Sequence, residues 1–146
     1  MPRMLIGKVE PAGYKAITPL HEHCRDNVEP RLHELIKIRA SQVNGCAYCI
    51  DLHTRDARAM GESEQRIYAL NAWRETPFFD DRERAALALT EAATKFGDHG
   101  VPDEVYDTAA ALFSEKELAN IILAIALINF WNRIGITSGM QPKRRD

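Results

Sequence analysis

A chain of 146 residues, 45% hydrophobic and 27% charged, is long enough to bury a real core and is ordinary for a globular protein, so a single domain over residues 1–146 is expected. Nineteen basic against twenty-one acidic residues leave a net charge of −2, which argues against a phosphate-binding surface and against nucleic acid as a partner. Three cysteines are too few, and odd in number, for a secreted disulfide framework; in a reducing compartment a close pair points to chemistry or to a metal.

At the N-terminus "MPRMLIGKVEPAG" carries a single Arg, a hydrophobic run too short for a signal peptide and no small-residue cleavage site, so a cytoplasmic protein is expected. Thr18 before Pro19 starts a helix. After Pro30 the apolar positions Leu32, Leu35, Ile36, Ala40 and Val43 keep helical spacing until Asn44-Gly45 stops them. A second helix follows at once, with Cys46, Cys49, Ile50, His53, Ala57 and Met60 on one face and Gly61 ending the run. Ser63 caps a helix carrying Ile67, Leu70 and Trp73 that must finish before Pro77. Asp80 with Glu83 opens "DRERAALALTEAATKF", closing at Gly97, and Pro102 opens another short helix. Ser114 with Glu117 is a capping box leading "IILAIALI" and "NFWNRIG". That apolar stretch ends at Asn129 between Glu117 and Arg133, short of the roughly 20 residues a membrane span needs, so it reads as a buried core helix and no membrane is expected. No segment alternates with period two. The expected class is all-α, a compact bundle of about six or seven helices.

The chemistry concentrates in "NGCAYCIDLH", residues 44–53. At about 1.5 Å rise and 100° per residue, Cys46, Cys49 and His53 line one stripe of a helix. Both thiols sit in its first turn, where orphan N–H groups and the helix dipole favour a thiolate, and His53 is spaced to accept a proton from Cys49. The i, i+3 spacing is compatible with a reversible Cys46–Cys49 disulfide. Three bland readings compete: a structural clip, a zinc half-site lacking its second half, and buried hydrophobes, the last being the reading of Cys24. His21 and His23 are two apart and diverge on a helix, while His33 and His99 read as surface or capping residues. The tail Lys143, Arg144, Arg145 reads as solvated. Neither G-x-G-x-x-G nor a P-loop is present.

"ELIKIRASQVNGCAYCIDLH", from Glu34 to His53, resembles the core motif of the carboxymuconolactone decarboxylase superfamily, specifically its alkylhydroperoxidase D-like (AhpD-like) branch with C-x-x-C-x-x-x-H. The resemblance extends through "ARAMGESEQRIYALNAWRE", "FDDRERAALALTEAAT" and "INFWNRIG", about Glu34 to Gly135, and the first thirty residues add little to it. It implies an all-helical fold, assembly as homo-trimers or homo-hexamers, and a proton-relay and thiol centre of Glu34, Cys46, Cys49 and His53. It also implies that Cys49 meets the peroxide and Cys46 resolves it, the reverse of thioredoxin-like motifs. Helix geometry sides with this order, since Cys49 lies one turn from His53 and Cys46 two turns, about 10 Å. In an antiparallel hairpin turning at Gly45, Glu34 lies level with His53, where it orients the imidazole or, alternatively, pairs with Lys37 along its own helix. Tyr48 and Ser41 are candidates to border the site.

The activity expected is thiol-dependent reduction of organic or hydrogen peroxide, with no cofactor and no metal, turned over by an external dithiol such as a lipoyl or thioredoxin-like protein. A lactone decarboxylase, which does not need the cysteine pair, and a nonenzymatic redox sensor remain as alternatives.

Overall fold

A computed structural model of the chain describes residues 1–145. Among these residues there is no β-strand, and the elements are α1 (Ile6–Val9), α2 (Pro11–Lys15), α3 (Thr18–Asn27), α4 (Pro30–Asn44), α5 (Ala47–Ala59), α6 (Glu64–Ala69), a 3-10 segment (Leu70–Glu75), α7 (Asp81–Thr94), α8 (Asp103–Leu112) and α9 (Glu115–Ser138). The all-α class stands. Two short N-terminal helices, α1 and α2, precede those that periodicity signalled.

Local chemistry accounts for the boundaries. Asp80 and Ser114 each accept the N3 amide while the N3 glutamates, Glu83 and Glu117, reach back to the cap amide, completing capping boxes on α7 and α9. A side-chain N-cap of this kind contributes about 1 kcal/mol. Ser63 Oγ accepts the amide of Arg66 at the start of α6. Gly45 closes α4 at φ 72°, ψ 33°, a left-handed conformation that a side chain would strain, and the chain reverses there into α5. The helix expected to run to Gly97 stops instead at Thr94, because Lys95 leaves helical geometry (φ −131°, ψ 88°) and Gly97 and Gly100 form a tight bridge.

Helix α4 is the centre of the molecule and packs on α5, α7 and α9. Its Leu32 and Ile36 join Ala86, Leu89, Phe113, Ile121 and Ile125, while Leu35 and Ile38 join Ile67, Leu70, Trp73, Phe79 and Leu87. A helix buried on several faces can afford its polar residues only where they find partners. A third cluster joins α3 to α9 through Cys24, Val28, Ala124 and Leu127.

Two expectations need correction here. The apolar segment is not too short to span a membrane: α9 runs on through "NFWNRIG", as expected, to Ser138, and its 24 residues are long and apolar enough, by length and composition, to cross one. What marks it as a core helix is packing, because Asn120, Asn129 and Asn132 are buried inside the fold along with Ile121, Ile125 and Ile128. These side chains form part of the interior of the helical domain. The basic tail is also not simply solvated, since Arg145 pairs with Asp51 on α5.

Candidate functional site

The α4–Gly45–α5 hairpin determines where the candidate residues fall. Cys46 is the N-cap of α5, and its Sγ accepts the amide of Cys49 at 3.3 Å, while its own amide donates to the carbonyl of Ser41 at 2.9 Å. The two cysteines form a disulfide with Cα atoms 5.3 Å apart. They differ in access. Cys49 lines a cavity of about 290 Å³; Cys46, beneath it at 1% exposure, is not among the lining residues.

His53, one turn after Cys49, lines the same cavity. Its Nδ1 lies 3.4 Å from Oε2 of Glu34, which comes across from α4, and neither of these two buried atoms meets a hydrogen-bond partner among the described residues. Oε1 of Glu34 is held by Lys37 Nζ at 2.6 Å. Both contacts considered for Glu34 are therefore present, one on each oxygen. Burial pushes the Glu34 carboxyl up, but His53 and Lys37 outweigh it and hold the group below its ordinary range as a carboxylate. Asp56 adds an oxygen 3.9 Å from His53 Nδ1, and Glu34, His53 and Asp56 together place one potential metal ligand each within 4.8 Å. The ammonium of Lys37 on Glu34 works against a cation there, and three ligands fall short of a closed structural zinc site.

Below the thiols lies a buried amide network. Asn44 Nδ2 donates to Oδ1 of both Asn129 and Asn132 at 2.9 Å, Asn132 Nδ2 donates to Ser41 Oγ at 2.9 Å, and Ser41 Oγ donates to the Lys37 carbonyl at 2.6 Å. Ser41 thus supports the hairpin from beneath and does not line the cavity, whereas Tyr48 does. The network ties the end of α4 to α9, and the Cys46 amide on the Ser41 carbonyl joins the start of α5 to it. Buried polar groups satisfied in this way favour one arrangement of the backbone around the cysteines.

The N-terminal thirty residues contribute more than the motif resemblance indicated. Tyr14, Ile17, Thr18 and His21 form one wall of the cavity, and Tyr14 packs edge-on against Trp131 of α9 with ring centroids 5.2 Å apart. His21 and His23 do diverge, His21 to the cavity and His23 to Asn120 at 2.8 Å. Burial, then Lys37, lowers the pKa of His21, so it is a neutral imidazole at neutral pH. His33 is not a surface residue: it is 6% exposed, and burial with nearby Lys37 lowers its pKa to about 3. Its signal was its place one residue before Glu34 on a helix buried on several faces. Burial pushes the Cys24 thiol up, as suits a residue with no exposed surface. Among the described residues, no Lys, Arg, Asp or Glu lines the cavity.

Residues 11–92 match the Carboxymuconolactone decarboxylase family. The chain is 44% identical over 133 residues, 90% of each chain, to the uncharacterized protein YdfG of Bacillus subtilis (strain 168). Its fold is similar, at a TM-score of 0.95 and 38% identity over 99% of this chain and 100% of the other, to a protein of unknown function from Agrobacterium tumefaciens described as a putative antioxidant defence protein, AhpD. The debrominase Bmp8, at 23% identity, shares the fold with a TM-score of 0.84 over 93% of this chain and 73% of its own.

Proposed function

The chain belongs to the carboxymuconolactone decarboxylase family, in its AhpD-like branch, a family that includes enzymes, and from this and the site's geometry we propose that it is a thiol-dependent peroxidase. The observation that carries the reading is Cys49, opening onto an apolar cavity beside His53 and bonded from below to the more deeply buried Cys46. In the reduced protein His53 takes the Cys49 proton, and the thiolate attacks the distal oxygen of a hydroperoxide. The O–O bond breaks, Cys49 becomes a sulfenic acid, and the departing alkoxide takes up a proton to leave as an alcohol. The Cys46 thiol then displaces the sulfenic oxygen as water and forms the Cys46–Cys49 disulfide. An external dithiol, of lipoyl or thioredoxin-like type, restores both thiols by exchange and leaves as a disulfide. Glu34 orients the imidazole and compensates its charge.

The cavity sits at the small end of the range for small-molecule sites and has apolar and aromatic walls. It supports an uncharged organic hydroperoxide over an anionic one. Among the described residues no Lys or Arg lines the cavity, which also counts against the lactone reading, whose carboxylate substrate would lack such a partner. The exposed apolar side chains Ile122, Leu123, Phe130 and Ile136 on α9 favour a trimer or hexamer, which would cover them. A reducing cytoplasm is the compartment in which this cycle runs.

The test is peroxide consumption with several dithiol donors. Cys49→Ser should abolish it, Cys46→Ser should leave one stoichiometric oxidation at Cys49 without turnover, and Cys24→Ser should keep nearly full activity. Sulfenic acid lost in Cys46→Ser would reverse the order of the cysteines, and a single oxidation without turnover in the wild type would make the protein a redox sensor.

A further inference from the structure

Gly135 lies inside α9 with ordinary helical backbone, since the glycines with positive φ are Gly45, Gly61, Gly100 and Gly139. Nothing in its conformation requires glycine, and a glycine in a helix interior weakens the helix relative to alanine. The reason for it lies opposite. A Cβ built on Gly135 would stand 3.3 Å from Sγ of Cys46 and 3.6 Å from Sγ of Cys49, in the disulfide form.

That contact is tight for bonded sulfurs and worse for free ones. Reducing the bond with two electrons and two protons, drawn from a dithiol, turns one compact disulfide into two thiols at van der Waals separation, which together occupy more room. Cys49 borders the cavity, but the nearer sulfur, that of buried Cys46, cannot retreat easily. Asn132, one turn before Gly135, is hydrogen-bonded at 2.9 Å to both Asn44 and Ser41, and the Cys46 amide is held by the Ser41 carbonyl at 2.9 Å. Close-packed interiors respond to a single added methyl.

We infer that Gly135 is a positioning residue of the thiol pair: the room left by its missing side chain lets Cys46 and Cys49 part, and it thereby sets the balance between disulfide and dithiol. The inference rests on the proposed redox role of the pair.

The test equilibrates full-length wild type and Gly135→Ala in dithiothreitol buffers of graded ratio, counting free thiols. Gly135→Ala should shift the equilibrium toward the disulfide at least tenfold, about 30 mV for a two-electron couple. The melting temperature of the oxidised variant should not fall by a comparable amount, because alanine is the better helix former. A second measurement compares unfolding of the reduced proteins. Gly135→Ala should destabilise the reduced wild type and should be neutral or stabilising in a Cys46→Ala background, where the nearer sulfur is gone. An unshifted equilibrium in a folded variant overturns the inference. So does a variant that fails to fold in the Cys46→Ala background as well, since packing without the sulfurs would then explain the glycine. A wild-type pair that never cycles refutes the peroxidase reading itself, and the inference falls with it.

Discussion

Replacing His33 with Gln and then lowering the pH from 7 to 5 isolates one buried group. His33 is 6% exposed, and burial followed by the nearby Lys37 lowers its pKa from the ordinary 6.5 to about 3. The native chain therefore keeps this imidazole neutral at pH 5, while the unfolded chain protonates it as the pH passes 6.5. Between these values the unfolded state binds more protons, so stability is fully present above pH 6.5 and is lost progressively as the pH falls toward 3. Integrating the linkage relation between the two pKa values gives a loss of about 2 kcal/mol at pH 5 and about 3 kcal/mol at pH 4. The figure at pH 5 is governed almost wholly by the unfolded pKa, because the native one lies well below. At pH 5 carboxylates with ordinary or lowered pKa values stay mostly ionised, and His21 titrates alike in both proteins. The assay is urea unfolding of the oxidised proteins at pH 7, 6 and 5, read as midpoints with the slope checked for constancy. Wild type should lose about 2 kcal/mol more than His33→Gln between pH 7 and 5. Equal losses would show that His33 protonates freely in the native state and that its burial is not what the fold enforces.

His53→Gln should slow Cys49 oxidation by roughly 10²–10⁴ near neutral pH and recover part of the rate at higher pH, as the thiol ionises without help; Cys49 alkylation against pH, with Cys46 and Cys24 replaced by Ser, reads this directly. Glu34→Gln should act in the same direction but more weakly. Because it also removes the charge facing Lys37, it should cost about 1–3 kcal/mol in urea unfolding, and an unchanged midpoint would mean the ion pair contributes nothing. Tyr14→Ala removes the edge-on contact with Trp131, of about 0.5–1.5 kcal/mol, and should raise KM several-fold for an aromatic hydroperoxide while leaving hydrogen peroxide reduction alone. Light scattering should find a trimer or hexamer, and a monomer at all concentrations would leave the apolar face of α9 to be explained otherwise.

Features that depend on neighbours a few residues apart were legible in the sequence. Capping at Ser63, Asp80 and Ser114, the left-handed turn at Gly45 and the Cys46, Cys49, His53 stripe are local, because they follow from the helical repeat and from amides that need an acceptor within one turn. Counting back from Gly45 also put Glu34 level with His53, and the structure has them 3.4 Å apart, since a tight hairpin converts sequence distance into spatial register. Other features depended on residues from other helices, between 35 and 85 positions away for the hydrogen-bond partners of Asn129. Tyr14 and His21 carry no periodic mark that directs them to a cavity; His21 reaches it because α3 packs on α9, and Tyr14, on α2, because its ring meets Trp131 of α9 edge-on. Asn129 looked like the end of an apolar run because an isolated amide in a helix is costly to bury. Its partners, Asn44 and Thr94, come from two other helices. The burial of His33 likewise depends on how many helices surround α4. A residue's surroundings at that distance are set by packing, and packing is a property of the assembled helices that no single one of them encodes.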